Sequence, residues 1–131
     1  MLLVKTKIEK SGIHGIGLFA DQFIPKGTVT WEYNSEFDTS FTEEQVQKLP
    51  EIAKDRFLHY AYIDKDLSKY ILCWDDLRFI NHSTNPNIDS TPRKDVANKD
   101  IQPGEELLCN YEAYETGYFE RRNLDATEFT E

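Results

Sequence analysis

Two short segments of the sequence concentrate the polar and aromatic side chains that could do chemistry. The first, residues 78–87, reads RFINHSTNPN and places an amide, an imidazole and a hydroxyl side by side after an apolar pair. The second, residues 104–111, reads GEELLCNY and consists of a turn, an apolar run and a tyrosine. Polar groups at this density beside apolar residues are costly to bury unless each finds a partner. We therefore expect the two segments to form a binding site.

Both segments resemble the C-terminal signature of the SET-domain family, whose members are mostly protein-lysine methyltransferases. A third segment, residues 12–20 with the sequence GIHGIGLFA, is similar to the family's GxGLFA opening, and IPKG and WEY at 24–27 and 31–33 match its continuation. The matching segments occur in the family's order. The resemblance implies a mostly β fold of the β-clip type, with several short curved sheets, short helices and a C-terminal segment that threads through a preceding loop.

The resemblance assigns the catalytic role to Tyr111. A phenol hydroxyl can accept a hydrogen bond from an attacking amine and orient the nitrogen lone pair. Apart from the resemblance, a buried tyrosine at the end of a strand is the simpler interpretation of Tyr111. Gly15-Ile16-Gly17 is likewise a weak signal alone, because it lacks the third glycine and the strand–helix setting of a dinucleotide-binding loop.

The same resemblance implies S-adenosylmethionine as the cofactor and a lysine side chain as the substrate group. The residues that match the cofactor-binding segments are His14, Gly15, Ile16, Gly17, Arg78, Phe79, Asn81 and His82. The candidates for the channel that receives the lysine are Tyr60, Tyr62, Cys109 and Tyr114. At position 109 the family commonly has phenylalanine or tyrosine, so the smaller cysteine predicts a roomier site that permits di- or trimethylation.

The sequence departs from the family's zinc-binding pattern. No C-x-C-x4-C segment follows Tyr111, and three histidines with two scattered cysteines predict no metal site. We expect a SET domain over residues 1–115 and a short, partly helical tail over 116–131. That tail, around Tyr118 and Phe119, could take the place of the zinc-bound cap. Alternatively, a partner protein or a second copy of the chain in a homodimer could replace this cap.

The excess of acidic residues indicates what kind of molecule the protein would bind. The chain has 131 residues, the usual size of one domain, and a net charge of −9 from 24 acidic and 15 basic residues. Binding to nucleic acid needs a basic surface, so direct nucleic-acid recognition is not expected. An acidic protein attracts a cationic partner such as a lysine-rich peptide or histone. Solubility alone is an equally good explanation of the acidic composition.

The chain has no apolar run of the roughly 18 residues that cross a bilayer, and its first five residues are too short for a signal peptide. These features predict no membrane association and an intracellular protein, cytoplasmic or, in a eukaryote, nuclear. Cys73 and Cys109 are then expected to be reduced thiols.

Local patterns predict short strands over 3–8, 28–33, 60–63 and 70–74, further strands near Ile88 and at 96–97, and a last strand over 106–110. A capping-box pattern at residues 42–45 predicts a short helix, and a second helix is expected from Glu51 to about His59. Residues 64–69 resemble the start of a calcium loop, but Lys69 occupies the glycine position, so a hairpin turn is the simpler account.

Together these observations predict an S-adenosylmethionine-dependent protein-lysine N-methyltransferase that acts on a basic protein such as a histone. The alternative is a SET-shaped binding module that holds a lysine-containing peptide without turnover. Tyr111 and the complete Asn-His-Ser segment favour the enzyme, whereas Cys109 and the lack of a zinc-bound cap leave room for the module.

Overall fold

The computed structural model describes residues 1–122. Over this range the chain is mostly β, with short strands in three sheets and few short helices. The strands are β1 (Thr6–Lys10), β2 (Ile16–Ala20), β3 (Val29–Glu32), β4 (Thr39–Phe41), β5 (Tyr62–Asp64), β6 (Lys69–Leu72), β7 (Asn81–His82), β8 (Ile88–Thr91), β9 (Lys94–Ala97) and β10 (Leu108–Cys109). The helices are α1 (Glu43–Gln47), α2 (Glu51–Tyr60), α3 (Tyr111–Tyr114) and α4 (Tyr118–Arg122), with a 3-10 helix at Asp76–Phe79.

The largest sheet has the strand order β3-β9-β8-β10-β7. Strand β10 lies between β8 and β7 and runs parallel to both, with Cys109 opposite His82 and Ile88. The two polar segments of the sequence are therefore neighbours in one sheet. This insertion brings Tyr111, two residues after β10, beside the end of β7.

The other two sheets are smaller. One is the antiparallel β1-β2 hairpin, and the other has the order β4-β6-β5. The predicted hairpin turn between β5 and β6 is confirmed, because the strands pair antiparallel and the Asp64 carboxylate accepts hydrogen bonds from the backbone N–H groups of Asp66 and Leu67.

The capping box is also confirmed. The Thr42 hydroxyl accepts from the Gln45 backbone N–H at 3.2 Å, and the Gln45 side chain accepts from the Thr42 N–H at 2.9 Å. Helix α2 begins at Glu51 as predicted but continues through Tyr60. The prediction of a strand over 60–63 is therefore wrong at its start: the Ala61 N–H still bonds to the Phe57 carbonyl, and β5 begins only at Tyr62.

The first hairpin corrects one further prediction. The first strand runs over Thr6–Lys10 rather than 3–8, and it pairs with β2, which occupies part of the glycine-rich segment. Gly15 makes the turn with a φ of +50°, a conformation that favours glycine. Gly17 lies within β2, where an added Cβ would collide with the end of the Glu106 side chain.

One hydrophobic core extends from these sheets to the C-terminal helices. Its fully buried side chains include Leu18, Ile24, Ile71, Ile101 and Leu107, and Tyr118 and Phe119 of α4 belong to the same cluster. The proposed boundary at residue 115 stays a prediction, and residues 123–131 of the tail lie outside the described range. Within residues 1–122, no helix is long and apolar enough to span a membrane.

Candidate active site

Two adjoining cavities meet at Tyr111. The wider cavity, about 220 Å³, is bordered by the residues that the sequence places at the cofactor: His14, Gly15, Ile16, Arg78, Phe79 and Asn81. The narrower cavity, about 60 Å³, is bordered by the four channel candidates Tyr60, Tyr62, Cys109 and Tyr114. The wall between them is shared and contains Tyr60, Arg78, Ile80, Tyr111 and Tyr118.

Tyr111 is held in place at both ends. Its backbone N–H donates to Nδ1 of His82 at 3.1 Å, and its hydroxyl donates to the Ile80 carbonyl at 2.5 Å. Only 9% of the residue is exposed, and burial raises the pKa of its phenol well above the ordinary value. Tyr111 is therefore a neutral phenol at physiological pH. With its proton directed at Ile80, its oxygen can act toward an amine only as an acceptor.

Asn81 holds the wall of the wider cavity. Its side-chain amide donates to the backbone carbonyls of His14 at 2.9 Å and Ile16 at 3.2 Å, and to Oε1 of Glu106 at 3.1 Å. These bonds join the first hairpin to the large sheet, whose strand β10 precedes Tyr111. Gly17 does not border either cavity; a Cβ at this position would lie 2.0 Å from the same Glu106 oxygen, so the glycine permits this arrangement.

His82 lies behind Tyr111 rather than on the surface of either cavity. It is 4% exposed, and its ring contacts the rings of Tyr111 and Phe119 with centroid distances of 5.3 and 4.8 Å. Burial lowers its pKa below the ordinary value, although the nearby Glu112 opposes the shift. A neutral imidazole can accept the Tyr111 N–H, so this geometry makes His82 a support for Tyr111. Its assignment as a cofactor-binding residue stays a prediction.

Aromatic rings form most of the narrower cavity. Tyr62 and Tyr114 meet edge to face at 5.3 Å, and Tyr111 and Tyr118 lie 4.7 Å apart. Burial raises the pKa of Tyr62 and Tyr114, so both remain neutral. Cys109 is 1% exposed in the same wall, and burial raises the pKa of its thiol as well. Such a lining excludes water and disfavours a charged amine.

Arg78 stands at the exposed boundary between the cavities. Its guanidinium lies 4.9 Å from the Phe79 ring centroid and 6.0 Å from that of Tyr60, close enough for cation–π attraction. Tyr60 and Phe79 are themselves 5.7 Å apart. This stack joins the end of α2 to the 3-10 helix and brings two predicted cofactor residues beside one predicted channel residue.

The C-terminal helix covers the site. Glu115, which is 1% exposed, forms an ion pair with Arg122 and accepts the Ile63 backbone N–H at 2.6 Å. Arg122 also donates to the Ala61 carbonyl at 3.0 Å and lies over the Tyr118 ring at 3.9 Å. This clamp fixes α4 so that Tyr118 and Phe119 pack on Tyr111 and His82.

Several residues of the site were not predicted. His59 borders both cavities, and the narrower cavity also contains three buried polar residues of the large sheet, Trp31, Ser90 and Asp95. His59 immediately precedes the predicted candidate Tyr60, so its position in the sequence could have indicated that it also borders the site. Nothing in the local sequence singles out the other three, because they meet only across strands. Among the described residues, no group of three or more His, Cys, Asp or Glu side chains could hold a metal ion.

The fold is similar to those of solved methyltransferase structures. A candidate histone methyltransferase of Plasmodium falciparum is 22% identical, with a TM-score of 0.60 over 84% of this chain and 95% of that one. An apo Polycomb Repressive Complex 2 of Chaetomium thermophilum is 25% identical, with a TM-score of 0.68 over 91% of this chain but 16% of its own. An inhibitor-bound humanized mutant of that complex is 24% identical, with a TM-score of 0.62 and coverages of 85% and 15%.

A comparison with curated protein sequences finds no match. The family model of the SET domain, in contrast, matches residues 15–112, from the turn that borders the wider cavity to the residue after Tyr111. This range contains both polar segments and the strands that bring them together. The chain belongs to the SET-domain family.

Proposed function

We propose that the chain is an S-adenosylmethionine-dependent protein-lysine N-methyltransferase. The observation that carries this proposal is the meeting of a wider and a narrower cavity at one buried tyrosine. Methyl transfer to an amine needs two ligands that approach each other in line, from separate openings. Two cavities that share a wall at Tyr111 support such an arrangement, and SET-domain membership agrees with it.

The wider cavity suits the proposed cofactor. It combines backbone groups of residues 14–16 with the ring of Phe79 and the guanidinium of Arg78, which can contact a nucleoside by hydrogen bonds and stacking. The rings of Tyr111 and Tyr118 border it as well, and aromatic faces attract a cationic sulfonium. When bound, S-adenosylmethionine supplies an electrophilic methyl group that an amine can displace from sulfur.

The narrower cavity suits a lysine side chain. Only the neutral amine has the lone pair for attack, and free lysine has a pKa near 10.4, so deprotonation at pH 8 costs roughly 3 kcal/mol. A buried aromatic channel lowers this cost because it disfavours the ammonium. The Tyr111 oxygen can then accept a hydrogen bond from the amine and direct its lone pair toward the wider cavity.

The substrate that we propose is a lysine of a basic protein such as a histone. The net charge of −9 supports a cationic partner. The similar Plasmodium structure is named as a histone methyltransferase, and one Polycomb structure is named as a complex with H3K27me3 and H3K27M. Cys109 in the channel wall supports the transfer of more than one methyl group, because it occupies less space than an aromatic ring.

Tyr111→Phe tests the catalytic assignment. We expect methyl transfer from labelled cofactor to a histone mixture to fall by about 100-fold or more in kcat, the usual effect of removing such a group. Calorimetric binding of S-adenosylmethionine should be unchanged, because the ring remains. Tyr33→Phe is the matched control: it removes a hydroxyl that lies outside both cavities, and the variant should retain activity. Mass spectra of the wild-type product count the methyl groups.

Two results would oppose the proposal in different ways. Wild-type protein that binds the cofactor but transfers no methyl group to histones or to lysate proteins would be a binding module. Wild-type protein that binds no cofactor at all would remove the basis for either function.

A further inference from the structure

Three residues with a polar side-chain group form a row across the large sheet. Trp31 of β3 is paired with Asp95 of β9, and Asp95 is paired with Ser90 of β8. Residues directly opposite each other on neighbouring antiparallel strands project from the same face of a sheet. All three border the narrower cavity, and they are 2%, 4% and 9% exposed. The wall of this cavity therefore contains polar groups as well as aromatic rings.

The row has hydrogen-bonding capacity that the protein does not use. Within residues 1–122, neither Nε1 of Trp31 nor Oγ of Ser90 has a hydrogen-bond partner. The Ser90 hydroxyl lies near enough to the Asp95 carboxylate to affect its pKa, but without the geometry of a hydrogen bond. Buried polar groups are nearly always paired, so two unpaired donors beside a buried carboxylate indicate a place for a polar ligand.

Asp95 is also the acidic group whose charge can change near neutral pH. Burial raises its pKa to about 7, against the opposing effects of Ser90 and the N-terminal amine. The titratable groups that face it are Cys109, Cys73 and Tyr62, and burial raises the pKa of each, so they stay neutral. Tyr111 and Tyr114 are neutral for the same reason, and burial lowers the pKa of His59.

On the basis of the proposed function, we propose that the Asp95 carboxylate binds the ammonium group of the substrate lysine in the narrower cavity and accepts one of its protons. An N–H bond of the ammonium breaks, its electron pair stays on nitrogen, and an O–H bond forms on Asp95. A buried, poorly hydrated site favours this outcome, because it disfavours both the separate charges and their ion pair.

Cys109 fits this role. Its thiol is close enough to Ser90 and Asp95 for both to affect its pKa. The phenylalanine or tyrosine that the family commonly has at this position would occupy the space beside the carboxylate. The small side chain thus leaves space beside Asp95 in the narrower cavity.

Asp95→Asn is the variant that tests the proposal, with Asp89→Asn as its matched control. Asp89 is on the same strand as Ser90 but is exposed on the opposite face. For Asp95→Asn we expect KM for a lysine peptide to rise by about 10- to 100-fold, the range for a lost charged hydrogen bond. Cofactor affinity should be unchanged. The wild-type kcat/KM should rise with pH as Asp95 ionises near pH 7, and this rise should disappear in Asp95→Asn but not in Asp89→Asn.

A binding measurement on the wild-type protein makes the proposal independent of methyl transfer. n-Butylammonium chloride is the probe, tetramethylammonium chloride is the control cation without N–H donors, and the Asp95 carboxyl carbon is followed by NMR. We expect n-butylammonium to lower the pKa of Asp95 and tetramethylammonium to have a much smaller effect. An Asp95 pKa that is the same with both salts, or an unchanged pH profile in Asp95→Asn, would overturn the proposal. Loss of the proposed function alone would leave the n-butylammonium result intact.

Discussion

The two cavities that meet at Tyr111 differ in how completely their polar groups are paired. In the wall of the wider cavity, the Asn81 amide makes three hydrogen bonds that hold the His14–Ile16 turn against the sheet. In the wall of the narrower cavity, Trp31 and Ser90 keep unpaired donors beside Asp95. The contrast suggests different tasks: a wall with satisfied hydrogen bonds maintains a shape, whereas a wall with unused ones can recognise a ligand's charge.

A third region serves both cavities. The buried Glu115–Arg122 pair and the Glu115–Ile63 hydrogen bond hold α4 over the shared wall. Here the charges are paired, in contrast to Asp95. Three substitutions separate these regions, and we give them from the largest expected effect to the smallest.

Glu115→Ala should remove the shared cover. Arg122 would be left partly buried without its carboxylate, and breaking a buried pair from one side typically costs about 3–5 kcal/mol. We expect a decrease of this size in the free energy of unfolding, measured with urea. Glu120→Ala changes an exposed acid of the same helix and should alter stability by less than about 0.5 kcal/mol. If Glu115→Ala is as stable as this control, the clamp does not hold α4.

Asp95→Asn should stabilise the protein. The pKa of Asp95 is about 7 in the folded protein against an ordinary value of 3.8, so the folded state binds more protons than the unfolded state between these values. Stability is therefore lost as the pH rises from about 4 to 7. The asparagine variant avoids this loss, which amounts to about 4 kcal/mol above pH 7 at 1.36 kcal/mol per pH unit.

Urea unfolding at pH 5 and pH 8 checks the direction of this pH dependence of stability. The advantage of the variant should be larger at pH 8 than at pH 5, whereas Asp89→Asn should show no such dependence. A variant that is less stable than wild type at pH 8 would mean that the Asp95 carboxylate is well satisfied in the folded protein. If the variant is more stable but binds the substrate more weakly, Asp95 would follow the general trade-off between stability and function.

Gly17→Ala should loosen the wider cavity alone. A Cβ at Gly17 would lie 2.0 Å from Oε1 of Glu106, so this carboxylate must move away from the Asn81 amide. We expect about a 10-fold weaker Kd for S-adenosylmethionine, equivalent to about 1.4 kcal/mol. Gly12→Ala is the matched control, because its added Cβ meets nothing within 4 Å. Equal affinities in the two variants would show that the Asn81 wall does not depend on Glu106.

Much of the fold could be predicted from local patterns. The Thr42–Gln45 capping box, the start of α2 and the hairpin at residues 64–69 are confirmed, because each depends on hydrogen bonds among neighbours in sequence. The failures lie at element boundaries. Aromatic and β-branched residues suggested a strand from Tyr60, but the α2 hydrogen bonds continue to Ala61.

The sequence by itself determined the SET-domain family, because the types and order of residues within short segments carry the family's signature. The same segments made Asn81, Cys109 and Tyr111 candidates for the site. The tertiary structure alone decided that Trp31, Asp95 and Ser90 lie side by side in one cavity. The physical reason is that cross-strand neighbours are chosen by the register of β3, β9 and β8. This register depends on the packing of the whole sheet, and no short stretch of sequence contains it.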